Sequence, residues 1–304
     1  MDFIEITIAN IDGEAAESVS ELFNRYGHGG AVVETSPPDF DKITVRTVIP
    51  SEDDQRLRHI EMMLALIGQA LPHGLPEPRL QFVGKSDWAN AWKEHFHVVR
   101  VGRRFVIKPS WRDYTPAAQD IIIEIDPGLA FGSGLHPTTQ LCLKIFEDIT
   151  WRGQSLFDVG AGSGILSIAA HKLGAGPIRA VDVDEVAVRV AEENFGRNGL
   201  GHHPSGSPPS QGEEIMVETA VGSAANTGGR QWQIVVANIL AHILIELMSD
   251  LAAAMAPDGQ LILSGMIDEQ EDQVTAAAAV QNLQVIERRL EEDWVALVVG
   301  RRMA

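Results

Sequence analysis

The segment "DVGAGSG" (Asp158–Gly164) spaces three glycines two apart, after the apolar "SLF" and before "ILSIAAHKL". A strand that turns through glycines into a helix brings backbone close to a ligand. A dinucleotide fingerprint would place its third glycine at position 165, where this chain has isoleucine. A pyrophosphate is therefore not the expected guest. Twenty-two residues after Gly160, "AVDVD" closes the next strand with Asp182. A carboxylate there accepts both hydroxyls of a ribose, while Asp184 reads as the N-cap of the following helix. Gly160, Gly162 and Asp182 together suggest S-adenosylmethionine.

Asn238 ends the apolar run "QIVVAN", at the edge where open α/β sheets bind ligands. Its amide oxygen, with a strand-end carbonyl, suits the N–H groups of an amine and would aim the nitrogen lone pair at a sulfonium methyl. The competing reading is a helix cap. A second glycine-rich stretch, "DPGLAFGSGLHPTTQLCL" (Asp126–Leu143), lies upstream. Phe131, flanked by glycines, reads as a cover over the bound cofactor. Pro137 suits the first turn of a helix, with the Thr139 hydroxyl pointing back toward the ligand. His136 reads as a loop anchor, His242 as structural, and Cys142, the sole cysteine, as a small buried hydrophobe. "EHFH" and "HH" lack partner ligands at zinc spacing, so no metal is expected.

These residues need a scaffold. From Ser155 onward strands alternate with helices: "SLFDVG", "IRAVDVD", "EIMVETAVG", "WQIVVANI" and "GQLILSGM" as strands, then "QVIERRL" and "WVALVVGRR" as a closing hairpin. The pattern predicts an α/β, doubly wound, seven-stranded Rossmann-like sheet with a terminal antiparallel hairpin. "HHPSGSPPSQGE" (residues 202–213) interrupts it and reads as a mobile surface insertion. Residues 1–84 read as strand, helix, two strands, helix, strand, the ferredoxin-like α+β plan. Their second helix is expected to start at a Ser51 cap. The expected organisation is a domain at 1–84, a connector at 85–115 with two strands around Gly102 and junction-packing tryptophans Trp88, Trp92 and Trp111, and a domain at 116–304.

The 304 residues carry a net charge of −18, arranged as −8 over 1–84, +4 over 85–115 and −14 over 116–304. That balance argues against nucleic-acid binding and favours a basic protein partner for the acidic faces. No run is long and apolar enough for a membrane span, no signal peptide is evident, and one cysteine suits a reducing cytoplasm. A cytoplasmic monomer is expected.

"DPGLAFGSGLHPTTQLCL", "DVGAGSGILSIAAHKLGA" and "NILA", with "FVIKPSW" before the first loop, resemble the ribosomal protein L11 methyltransferase family over nearly the whole chain apart from 202–213. The first loop is specific to that family and its near relatives; the second is shared by the class I methyltransferases. Two positions depart: Ser133 and Leu135 stand where the family usually has threonine. The resemblance implies a substrate-recognition domain, a flexible linker and a methyltransferase domain. It further implies cofactor contacts at Thr139, Gly160, Asp182 and Asn238. The activity it implies is transfer of methyl groups from S-adenosyl-L-methionine to lysine and N-terminal amines of L11, leaving S-adenosyl-L-homocysteine. A protein-lysine methyltransferase with another target and a non-catalytic cofactor-binding regulator remain alternatives.

Overall fold

The computed structural model describes residues 3–28, 30–36, 39–71, 74–83, 97–126, 132, 134, 136–204 and 217–302. They fall into two compact units, one through Val83 and one from His97. The first contains β1 (Phe3–Ile11), α1 (Gly13–Tyr26), β2 (Val32–Ser36), β3 (Asp39–Pro50), α2 (Asp54–Ala70) and β4 (Arg79–Val83). Its antiparallel sheet runs β2-β3-β1-β4, the expected ferredoxin-like arrangement. Alternation puts Ile4, Ile6 and Ile8 on the helix-covered face, against Val19 and Phe23 of α1 and Ile60 and Leu64 of α2. Two local expectations are corrected. The cap of α2 is Asp53, whose carboxylate accepts the Arg56 N–H at 3.1 Å, not Ser51; an acid there also pairs with the Arg56 guanidinium. The stretch "SPPDFD" (residues 36–41) reads in sequence as the turn between the two middle strands, yet Asp39–Asp41 already belong to β3.

The second unit opens with a small sheet. β5 (Val99–Val101) and β6 (Phe105–Lys108) form a hairpin around Gly102, at φ +62. Between their ends the buried Glu147 carboxylate accepts the N–H groups of Arg103 and Arg104. β7 (Ile121–Glu124) then pairs parallel with β6. Thus the described part of the expected connector, from His97, is built into the second unit.

The main body follows as α3 (Pro137–Phe146), β8 (Leu156–Val159), α4 (Ile165–Lys172), β9 (Ile178–Asp182), α5 (Glu185–Arg197), β10 (His202–Pro204), β11 (Val217–Val221), β12 (Trp232–Asn238), α6 (Ala241–Ala254), β13 (Met255–Ile267), α7 (Glu271–Val280), β14 (Leu283–Glu291) and β15 (Trp294–Arg301). The sheet order is β10-β11-β9-β8-β12-β13-β15-β14. All seven expected strands are present, and β15 inserts antiparallel between β13 and β14. One correction concerns the insertion: His202–Pro204 pair parallel with β11 as an eighth strand. The rest of 202–213 lies outside the described residues. Helices cover both faces, so β8 is buried along its whole length. The chain winds from β8 outward to β9 and later returns to β12 on β8's other side. That reversal opens a crevice at the carboxyl ends of β8 and β12. No helix of the described residues is long and apolar enough to cross a membrane.

Candidate active site

Gly160, Gly162 and Gly164 carry φ of +73, +55 and +77, values that L side chains rarely adopt. Four of the turn's N–H groups are committed inside the chain. Those of Gly160 and Ala161 both donate to the Val181 carbonyl, and that of Gly164 donates to Ala161. That of Gly162 reaches Asp182 Oδ2 at 2.9 Å. The first turn of α4 also has its own carboxyl group. Asp158, 1% exposed, accepts the Ser167 N–H at 3.2 Å and its hydroxyl at 2.7 Å through Oδ2. A pyrophosphate-binding turn offers such donors to its ligand; here these are bonded within the chain. Burial pushes the Asp158 carboxyl up from its usual 3.8 to about 7.

Asp182 sits at the end of β9 with both oxygens oriented, Oδ2 by Gly162 and Oδ1 by the Asp184 N–H at 3.0 Å. A carboxylate has about four lone-pair sites, so each oxygen can still accept a hydroxyl. Asp184 caps α5 by accepting the Val186 N–H.

Asn238 ends β12 and is not a helix cap; that place in α6 belongs to Leu240. Its Nδ2 donates to Thr139 Oγ1 at 3.3 Å. Its Oδ1 is buried and has no hydrogen-bond partner. An unsatisfied buried acceptor costs about 1–3 kcal/mol, so the site is built to receive an N–H. The strand end is held firmly. The Ile239 N–H donates to the Ser264 carbonyl. The Ile239 side chain fills the space beside Gly160, where a Cβ would stand 2.4 Å from Ile239 Cγ2. Gly265, at φ +92, leaves room for the Ile239 carbonyl, which a Cβ would meet at 2.3 Å. Gly160, expected to admit the cofactor, thus also makes room for the residue after Asn238.

Thr139 enters through the first turn of α3. Pro137 occupies the start of that helix, and His136 caps it, its Nδ1 taking the Thr138 N–H at 3.4 Å and lying 2.8 Å from Thr138 Oγ1. The imidazole packs edge-on against Trp294, with centroids 4.6 Å apart. Burial pushes its pKa down to about 4, so His136 anchors the segment. Beneath Thr138, the buried Ser264 hydroxyl donates to the Val295 carbonyl at 3.0 Å. Cys142 is fully buried and its thiol is pushed up to about 12. His242 is exposed on α6.

Two glycines of the upstream stretch, Gly132 and Gly134, lie against the second turn and its helix. The Gly132 carbonyl accepts the Ser163 hydroxyl at 2.6 Å, and a Cβ on Gly134 would stand 2.3 Å from Ile107 Cδ1. Phe131, Ser133 and Leu135 lie outside the described residues, as do Trp88 and Trp92.

A family model described as ribosomal protein L11 methyltransferase (PrmA) matches residues 2–302. The chain belongs to that family. A ribosomal protein L11 methyltransferase of Chloroflexus aurantiacus is 41% identical, with 98% of each chain covered; one of Herpetosiphon aurantiacus is 38% identical, covering 97% of this chain and 98% of the relative. Among solved structures, a ribosomal protein L11 methylase from Lactobacillus delbrueckii subsp. bulgaricus is 34% identical. It aligns over 68% of this chain and all of its own, with a TM-score of 0.61. In this member of the L11 methyltransferase family the sequence reading overlooked Asp158, Ser264 and Gly265. A signal for Asp158 was present: an acid inside the apolar run "LFDV" is burial with a purpose. Ser264 and Gly265 carry no such mark, because only pairing with β12 brings them under Asn238.

Proposed function

We propose that this protein is an S-adenosylmethionine-dependent protein N-methyltransferase acting on lysine and N-terminal amino groups of ribosomal protein L11. The observation that carries the reading is the unpartnered Asn238 Oδ1, held at the carboxyl edge of the sheet that also bears Asp182 and the glycine turn. The donors fit the cofactor. Asp182 presents two oriented oxygens for ribose hydroxyls, and four N–H groups of the glycine turn are bonded within the chain rather than offered to a pyrophosphate. Bound there, S-adenosylmethionine supplies a methyl group on a sulfonium and leaves as S-adenosylhomocysteine.

The chain's own part is positioning. The amine must arrive neutral, although a free lysine has a pKa of about 10.4. Desolvation as it enters the crevice favours the uncharged form. Asn238 accepts one of its N–H bonds and so fixes the direction of the nitrogen lone pair. His136 supplies no base at neutral pH, since its pKa is pushed down to about 4 and its Nδ1 is engaged at Thr138. Orientation within a closed site is worth orders of magnitude in rate. The acidic 1–84 segment is assigned to recruiting the basic substrate, and the protein to the cytoplasm as a monomer.

Two substitutions separate the roles. Asp182→Ala should weaken S-adenosylmethionine binding, read by calorimetric titration, roughly tenfold or more. Asn238→Ala should lower turnover by about a hundredfold while leaving that affinity within a few fold. Unchanged affinity in the first variant, or wild-type turnover in the second, contradicts the assignment.

A further inference from the structure

The Asn238 amide can face either way about its last torsion, presenting an oxygen or an NH2 group to the site. Only the oxygen serves an amine donor. The one described side chain within hydrogen-bond reach is Thr139, whose Oγ1 takes the Nδ2–H at 3.3 Å. With the NH2 group occupied there, Oδ1 is the atom left over, buried and unpartnered.

Thr139 itself is held in place. It is 1% exposed and sits in the first turn of α3. Its N–H bonds to the His136 carbonyl at 3.1 Å. The preceding residue, Thr138, is tied to the His136 ring. Asn238 is fixed from the other side by Ile239, wedged against Gly160 and Gly265. Two rigid segments, 99 residues apart in sequence, thus meet at one side-chain hydrogen bond.

We infer that Thr139 is a positioning residue: its hydroxyl accepts the Asn238 amide N–H and anchors that side chain at the strand end, with the Asn238 oxygen left as the free acceptor for the substrate amine. This rests on the proposed function. It differs from a role for Thr139 as a cofactor contact, because the interaction seen is with Asn238.

The test uses the full chain, S-adenosylmethionine and purified L11, with variants checked for wild-type thermal stability. Thr139→Val keeps the shape and removes the acceptor. Its turnover should fall between about tenfold and about a hundredfold, with cofactor affinity, read by calorimetry, within about twofold. Thr139→Ser should recover turnover to within about threefold of wild type. In Asn238→Ala there is no amide left to hold, so adding Thr139→Val to it should cost clearly less than in the wild-type background. Should Thr139→Val unfold, the Ser rescue and the coupling through Asn238→Ala are read instead with Thr139→Ala. Wild-type turnover in Thr139→Val overturns the inference. So does a loss confined to cofactor affinity, and so does an equal cost in both backgrounds. If wild-type protein binds S-adenosylmethionine but leaves L11 unmodified, the proposed function has failed instead, and the cofactor titrations alone still report on it.

Discussion

Asp158 and His136 stand on the two glycine-rich segments and pull the pH dependence of folding in opposite directions. The buried Asp158 carboxyl holds its proton up to about 7, against 3.8 in the open. Its contribution to stability is present below about pH 4 and is lost as pH rises toward 7. His136 is held neutral down to about 4, against 6.5 in the open. Its contribution is present above pH 6.5 and is lost as pH falls toward 4. Between these limits the two offset, so each should emerge when the other is removed. His136→Asn, which keeps a capping side chain, should give a protein whose melting temperature falls as pH is raised from 4 to 7. Asp158→Asn should give one whose melting temperature falls as pH is lowered from 6.5 to 4. Thermal melts across that range check both, and three parallel curves would contradict the assignment. The sequence made His136 legible as an anchor because it precedes a proline at a helix start. It did not reveal that this histidine would be stripped of its ordinary basicity, since Trp294 arrives from the far end of the chain.

At the scale of elements, the strands that carry the site could be read directly. "LFDV", "IRAVD" and "WQIVVAN" are short apolar runs, each followed by turn residues and a helical pattern. Three things escaped. "IIIE" after Asp120 is too short to stand out, yet it pairs with β6 and delivers the chain to Asp126. There, Asp126 binds the Ser110 N–H at 2.7 Å and the Arg197 guanidinium at 3.0 Å, fixing the entry to the first glycine-rich stretch. His202–Pro204 look like loop, because proline and serine crowd the following residues, but they take the open edge of β11. The last was Gly265, whose meaning lies in another strand. Gly265→Ala should strain φ +92 and drive a methyl into the Ile239 carbonyl, costing roughly 2 kcal/mol or more in stability. Because Ile239 follows Asn238, turnover should fall as well. Denaturant titration and steady-state assay check this; wild-type values in both would mean that the strand end is not locked as described.

Across the whole molecule, charge divides the labour. The first 84 residues carry −8 and the last 189 carry −14, around a +4 segment. Exposed charges attract a basic partner over a distance that salt shortens to about 8 Å at physiological ionic strength. Raising salt should therefore raise KM for L11 while leaving S-adenosylmethionine affinity little changed, since Asp182 binds by local hydrogen bonds. Equal salt sensitivity in the two titrations would argue against electrostatic recruitment. Sequence alone sufficed for fold class, the strand-end carboxylate and the strand-end amide, because each is set by local pattern. The hydrogen bond that holds this amide was not legible, because it depends on a contact between α3 and β12 that only the folded chain creates. The central claim is tested most directly by incubating the purified protein with S-adenosylmethionine and unmodified L11 and weighing L11 by mass spectrometry. The expected result is stepwise gain of methyl groups on lysine and N-terminal amines, slowed about a hundredfold in Asn238→Ala; an L11 mass that stays unchanged while the protein binds S-adenosylmethionine would contradict it.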